Sequence, residues 1–142
     1  KYLMKKIIPY GKQNIENNDL NAIKIALRQD KITTGAFVSK FEKKICSYTR
    51  SKYALSCNSG TSALYLSFKS VNLKKDDIVI MPSITFVSSY SVAKIFDAKV
   101  YLADVDPISG QMTPENVLEC CRKFQIKRIK VLVLMNIIIW IF

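Results

Sequence analysis

Hydrophobic positions recur at helical spacing in the first fifty residues and then fall into alternating strand-like and helix-like runs. Leu20, Ile23 and Leu27 share one face of a predicted helix that ends near residue 29, and a second apolar stripe predicts a helix that ends near residue 48. From residue 53 onward, short apolar runs alternate with longer amphipathic ones. Strands are predicted at 53–57, 77–81, 99–103 and 129–134, and helices at 61–71, 86–96 and 114–124.

This alternation of strands and helices indicates an α/β fold with a mostly parallel sheet covered by helices. Right-handed crossovers place the loops that follow the strands at one edge of such a sheet, where the ligands of open α/β folds bind. The loops concerned are 58–60, 82–85 and 104–107. We therefore expect a binding site at this edge of the sheet.

The junction between the first predicted strand and its helix carries the sequence NSGTSAL at residues 58–64. The N–H groups at a helix N-terminus lack an acceptor within the helix, and the helix dipole adds positive charge there, so such a junction can bind a phosphate. Gly60 lets the backbone approach a ligand closely, and Thr61 and Ser62 add hydroxyl donors. The alternative is a helix cap formed by Asn58 or Ser59. The residues alone leave both interpretations open.

The composition fits one domain with a core rather than a disordered chain. The 142 residues are 49% hydrophobic, and 22 basic and 11 acidic side chains give a net charge of +11. The basic residues are scattered, so an AT-rich coding sequence explains them better than a nucleic-acid surface does. The chain has no histidine, which excludes Ser-His-Asp and Cys-His catalysis within it, and we expect no metal site.

The cysteines and the termini bear on the compartment. Cys46, Cys57, Cys120 and Cys121 lack CxxC spacing and are expected to be reduced thiols. The N-terminus lacks the pattern of a signal peptide, and the apolar run at 132–142 is shorter than the ~20 residues that a bilayer requires. We therefore expect a cytoplasmic protein without a membrane span.

Seven short segments occur in the order and spacing of one known family. They resemble the DegT/DnrJ/StrS family of pyridoxal-phosphate (PLP)-dependent sugar aminotransferases, and are most similar to the members that aminate the 4-keto group of a UDP-linked deoxy-sugar on the way to pseudaminic acid. The resemblance implies the N-terminal portion of a type I, aspartate aminotransferase-like large domain. The segments are IPYGKQ at 8–13, ITTG at 32–35, FE at 41–42, KYA at 52–54, NSGTSAL at 58–64, PSITFV at 82–87 and DVDP at 104–107.

The resemblance also implies roles for individual residues. The backbone amides of Gly60, Thr61 and Ser62 would hold the phosphate of PLP, and Phe86 would stack on its pyridine ring. The nucleotide-linked keto sugar would contact a second set: Tyr10, Ile32, Thr33, Thr34, Gly35 and Gly60. The family further implies glutamate as amino donor and a homodimer in the complete protein.

Each of these assignments has a plainer structural alternative. Without the resemblance, Phe86 would be interpreted as a buried core aromatic in the first turn of a helix. Thr33, Thr34 and Gly35 would be interpreted as an ordinary helix-ending turn. Asp104 and Asp106 are interpreted as turn and capping residues rather than catalytic acids, because Asp106-Pro107 is typical of a turn.

The end of the chain departs from the family pattern. The expected organisation is an N-terminal arm and helix at 1–35, a partial PLP-binding domain at 36–131 and an apolar tail at 132–142. A buried strand with an apolar tail is one interpretation of the last segment, but an out-of-frame ending explains the loss of pattern better. The lysine that forms the Schiff base with PLP, and the acid on the pyridine nitrogen, are expected downstream of residue 142. No catalytic residue is therefore assigned, and this chain alone is expected to be inactive.

The sequence also leaves two alternatives to the aminotransferase hypothesis. One is a small non-catalytic α/β module that binds a phosphorylated ligand through the Gly60 loop, without covalent attachment. The other is a basic nucleic-acid-binding domain, whose affinity would fall steeply with salt. The absence of a dense basic cluster counts against the second class.

Overall fold

The computed structural model describes residues 11, 13–134 and 138–141, so Tyr10 lies outside the described residues. The chain divides into two compact units, with the boundary between Ser56 and Cys57. The division into 1–35, 36–131 and 132–142 remains a prediction about the complete domain.

The described residues of the first unit form two helices, as the apolar stripes predict. Helix α1 spans Asn17–Leu27 and helix α2 spans Ala36–Thr49. A capping box fixes the start of α1, since the N–H of Glu16 donates to a carboxylate oxygen of Asp19 at 2.8 Å. Neither helix has a buried residue, and most of their apolar side chains are exposed.

The predicted strand at 53–57 is wrong. Helix α2 ends at Thr49, its C-cap Arg50 has a left-handed φ of 57°, and the chain then runs to Asn58 without regular secondary structure. Tyr53 and Leu55 are 78% and 73% exposed, and no strand pairs with the segment in the described part of the chain. A short apolar run with an aromatic residue forms a strand only when a neighbouring strand supplies the hydrogen-bond ladder.

The second unit alternates helices and strands. The sequence places its first five elements within one residue of the observed bounds, because turn and capping residues separate the apolar runs. The elements are α3 at Gly60–Ser70, β1 at Ile78–Pro82, α4 at Val87–Ile95, β2 at Lys99–Ala103, α5 at Pro114–Lys123, β3 at Val131–Leu134 and β4 at Ile138–Ile141.

The four strands form one sheet in the order β2-β1-β3-β4. Strand β1 pairs in parallel with β2, Ile80 opposite Tyr101, and in parallel with β3, Val79 opposite Val131. The mostly parallel sheet is therefore confirmed. Strand β4 is the exception and pairs antiparallel with β3; the apolar tail thus continues the sheet, which the sequence did not predict.

Helices cover both faces of this sheet. On one face, Leu64 and Phe68 of α3 and Val92 of α4 pack against Val79 and Met81 of β1. On the other face, Cys120 of α5 belongs to a cluster with Ile80 and Ala103. Burial of these side chains is the main source of stability of the second unit, since each fully buried aliphatic side chain contributes about 1.5–3 kcal/mol. This three-layer packing fixes the direction in which α3 points.

Candidate functional site

The N-terminus of helix α3 lies at the carboxyl edge of the sheet. The C-terminus of α3 leads through residues 71–77 into the start of β1, so α3 runs antiparallel to β1. Helix α4 follows the end of β1 and packs beside α3, with the Phe96 ring edge-on to Phe68 at 6.4 Å between centroids. The N-termini of both helices therefore face the edge where ligands of open α/β sheets bind.

Ser59 is the N-cap of α3. Its side-chain oxygen accepts a hydrogen bond from the Ser62 N–H at 3.2 Å, and its hydroxyl donates to the Ser62 hydroxyl at 3.0 Å. The Ser62 hydroxyl in turn donates to the Asn58 side-chain oxygen at 2.8 Å. The helix cap proposed as the plainer interpretation of this loop is therefore present. It engages both the amide and the hydroxyl of Ser62.

Two backbone donors of the same turn remain free. The cap and the first helical hydrogen bond, from Ala63 N–H to Ser59 at 3.0 Å, leave the Gly60 and Thr61 N–H groups without an acceptor among the described residues. Both residues are exposed. The cap and the anion site are thus compatible, because they use different donors of one turn.

The space in front of this turn is open. A Cβ added to Gly60 would meet nothing within 4 Å. No acidic residue lies in the first turn of α3, so the positive end of the helix dipole is not neutralised there. These features suit a dianion held by two N–H groups and the adjacent Thr61 hydroxyl.

Phe86 lies at the N-cap of α4 and is 75% exposed. Its carbonyl accepts from the Ser89 N–H at 3.1 Å, so the backbone around it is fixed while its ring faces solvent. The alternative of a buried core aromatic is wrong for this residue: the core positions of α4 are Ser89, Val92 and Ala93. An exposed ring at this edge is free to contact a ligand.

Of the described residues expected to contact the sugar nucleotide, Gly60 lies in the second unit and the other four lie in the first. Ile32, Thr33 and Thr34 are exposed in the bends between α1 and α2, and Gly35 is the N-cap of α2. An added Cβ on Gly35 would overlap the carbonyl oxygen of Lys31. The local backbone therefore explains why a glycine stands at position 35. A role for Gly35 in substrate binding stays a prediction.

Asp106 behaves as a turn residue, as the sequence predicts. One carboxylate oxygen accepts from the Ser109 N–H at 2.7 Å and from the Ser109 hydroxyl at 2.8 Å. These bonds, with a further one from the Ile108 N–H, lower the pKa of this carboxyl group. The Oδ1 atom of Asp106 thus holds the turn together, which is the role of a turn residue.

A cleft of about 230 Å³, separate from the turn at Gly60, was not predicted from the sequence. It lies where β2 ends beside α5 and is lined by Asp104, Asn116, Glu119, Cys120 and Lys123 among others. Burial raises the pKa of the Cys120 thiol, which disfavours the reactive thiolate. Glu119 and Lys123 lie four residues apart on one face of α5, and neither side chain is held in place by a buried partner.

Two further features are absent from the described parts of the chain. No helix there is long and apolar enough to cross a membrane. The same residues contain no cluster of three or more His, Cys, Asp or Glu side chains suited to a metal ion.

The sequence and fold match known proteins. The model of the DegT/DnrJ/EryC1/StrS aminotransferase family matches residues 13–134. A relative from Campylobacter jejuni subsp. jejuni serotype O:23/36 (strain 81-176), UDP-4-amino-4,6-dideoxy-N-acetyl-beta-L-altrosamine transaminase, is 36% identical over 99 residues, covering 70% of this chain and 26% of the relative. The chain therefore spans about a quarter of the length of the curated relatives it matches.

Solved structures agree with this match. A sugar aminotransferase from Streptococcus pneumoniae in its PLP form has a TM-score of 0.72 at 26% identity and covers 80% of this chain and 29% of its own. 3-Amino-5-hydroxybenzoic acid synthase reaches a TM-score of 0.75 at 26% identity, covering 87% and 32%. The α/β fold expected from the sequence, part of a PLP-dependent aminotransferase, is confirmed. The chain belongs to the DegT/DnrJ/EryC1/StrS aminotransferase family.

Proposed function

We propose that this chain provides the cofactor-phosphate loop of a PLP-dependent aminotransferase that transfers an amino group to a nucleotide-linked keto sugar. The observation that carries the proposal is the pair of free N–H groups at Gly60 and Thr61, in front of open space, within a chain matched to this family. The solved relative from Streptococcus pneumoniae in its PLP form supports the cofactor.

The described residues fit the phosphate of PLP. The N–H groups of Gly60 and Thr61 and the Thr61 hydroxyl would donate to its oxygens, and the Ser59–Ser62 cap would hold these donors in place. Ser62 would act through this cap, since its own amide already donates to Ser59. Phe86, exposed at the same edge, would cover the pyridine ring. When bound, PLP supplies the electron sink for moving the amino group.

The substrate proposal is finer. Two Campylobacter jejuni relatives at 36% and 32% identity are named as transaminases for UDP-4-amino-4,6-dideoxy-N-acetyl-beta-L-altrosamine. We infer a UDP-linked 4-keto deoxy-sugar of the pseudaminic acid pathway as acceptor and glutamate as donor. Residues 32–35 and Tyr10 would contact the nucleotide sugar.

The complete protein is proposed to act as a cytoplasmic homodimer, and turnover is proposed to require a lysine outside residues 1–142. All four cysteines are free thiols, which supports a reducing compartment. The present chain would then bind the cofactor phosphate without catalysing transamination.

The phosphate loop can be tested on the 142-residue chain with ligands that cannot react with its many lysines. We would titrate it with 4-deoxypyridoxine and 4-deoxypyridoxine 5′-phosphate, which lack the aldehyde of PLP, while following the Gly60 and Thr61 amides by NMR. The phosphate form should bind more tightly and shift both amides. Gly60→Ala should weaken the phosphate form about tenfold or more, since charge-assisted bonds need close approach.

Gly11→Ala is the matched control, because an added Cβ there also meets nothing within 4 Å. It should leave binding unchanged. Equal binding of both ligands to the unmodified chain, or an unchanged phosphate preference in Gly60→Ala, would overturn the assigned loop.

A further inference from the structure

Glu42, in the middle of helix α2, holds the chain just before the phosphate loop. One of its carboxylate oxygens accepts a hydrogen bond from the Ser56 N–H at 2.8 Å and another from the Ser56 hydroxyl at 2.9 Å. The two residues are fourteen positions apart, and both are half-buried. Both bonds converge on a single oxygen atom.

The segment that Ser56 ends has little else to fix it. Residues 51–57 have no strand partner in the part of the chain that is described, and Tyr53 and Leu55 are mainly exposed. The two bonds to Glu42 are the side-chain hydrogen bonds that the structure records between α2 and residues 52–57. Two residues after Ser56, Asn58 accepts the Ser62 hydroxyl bond and the cap of α3 begins.

We propose that Glu42 is a positioning residue for the cofactor phosphate: by fixing Ser56, its carboxylate holds residues 57–59 so that the Ser59 cap presents the Gly60 and Thr61 N–H groups. The proposal rests on the proposed function of that loop. Glu42 touches neither cofactor nor substrate in this role. Its effect travels along four consecutive peptide units.

The test compares the unmodified 142-residue chain with two variants, Glu42→Ala and Glu42→Gln, by amide hydrogen exchange. In Glu42→Ala, the Ser56 amide and the two cap amides, Ser62 and Ala63, should exchange about tenfold faster, because hydrogen bonds to charged groups are the stronger ones. Glu42→Gln should restore most of the protection, since its carbonyl oxygen replaces the one oxygen that accepts both bonds.

The internal control is the far end of α4. The Phe96 amide, bonded to Ala93 at 3.2 Å, should not change in any variant. Faster exchange confined to Ser56, with Ser62 and Ala63 unchanged, would overturn the proposal. So would equal acceleration of Phe96, which would show general unfolding.

A second readout separates positioning from structure. Glu42→Ala should weaken 4-deoxypyridoxine 5′-phosphate binding several-fold while leaving 4-deoxypyridoxine binding unchanged, and Glu42→Gln should recover it. If the unmodified chain shows no preference for the phosphate form, the proposed function fails. The exchange of Ser62 and Ala63 then still decides whether Glu42 positions the loop.

Discussion

A glycine lies at the N-terminal end of both α2 and α3, and the two glycines differ in what surrounds them. An added Cβ on Gly35, the N-cap of α2, would overlap the carbonyl oxygen of Lys31. An added Cβ on Gly60, the first residue of α3, would meet nothing within 4 Å. The first glycine is required by the backbone of its own turn, whereas the fold does not require the second.

This contrast separates folding from binding. Glycine loses more backbone entropy on folding than other residues do. Where an added Cβ would meet nothing and φ is not left-handed, the fold gains nothing from the glycine to offset that loss. At Gly60 the lack of a side chain lets another molecule approach the two free N–H groups of that turn closely. Gly35 lies in a motif of the same family, but its local geometry is explained without a ligand.

The largest expected effect is that of Gly35→Ala. The methyl group must displace the Lys31 backbone, and overpacking of this kind costs about 1–3 kcal/mol. Gly60→Ala should instead be neutral or stabilising by about 0.4–1 kcal/mol, because alanine restricts the unfolded chain. Urea unfolding followed by far-UV circular dichroism, with exchange of the Val38 amide that bonds to Gly35, measures both. Equal stabilities of the two variants would remove the contrast.

Ser59→Ala should have an intermediate effect. It removes the acceptor of the Ser62 N–H, and loss of an N-cap costs about 1 kcal/mol. Phosphate binding should fall as well, because the turn that presents Gly60 and Thr61 loosens.

Thr113→Ala is the matched control for Ser59→Ala. Thr113 caps α5 in the same way, accepting from the Asn116 N–H at 3.3 Å. Its loss should cost similar stability in urea unfolding and leave the affinity for 4-deoxypyridoxine 5′-phosphate unchanged. If both cap variants weaken binding equally, the loss reflects stability and not the loop.

Much of the second unit could be predicted from the sequence because its signals are local. The predicted strand at 99–103 matches β2 in full, and the capping box formed by Thr113 and Asn116 marks the start of α5. The turn at Asp106 is likewise set by neighbours within three residues. Periodicity and capping describe such elements well.

The remainder depends on partners distant in sequence. Residues 53–57 form an apolar run, but no strand pairs with them in the described part of the chain, whereas β4 forms from an apolar tail because β3 lies beside it. The bond that the Ser56 N–H donates to Glu42 spans fourteen residues, and no spacing pattern indicates it. The sequence singles out the loop at 58–62 as a candidate site, but only the geometry shows that the Ser62 N–H is used by the cap while the Gly60 and Thr61 N–H groups have no acceptor among the described residues.

The smallest expected effect is the titration of Glu42. The Ser56 N–H first, and the Ser56 hydroxyl second, stabilise its carboxylate and lower its pKa. Because the charged form is the better acceptor, the hold on Ser56 is present at neutral pH and weakens as the pH falls through that lowered pKa. Carbon-detected NMR of the Glu42 carboxyl group should show this low value. Ser56→Ala, which keeps the N–H bond, should raise the pKa only part of the way towards that of an ordinary glutamate. A Glu42 that titrates like an exposed glutamate in the unmodified chain would mean that the two bonds do not persist in solution, and Gly60 would then owe its position to the Ser59 cap alone.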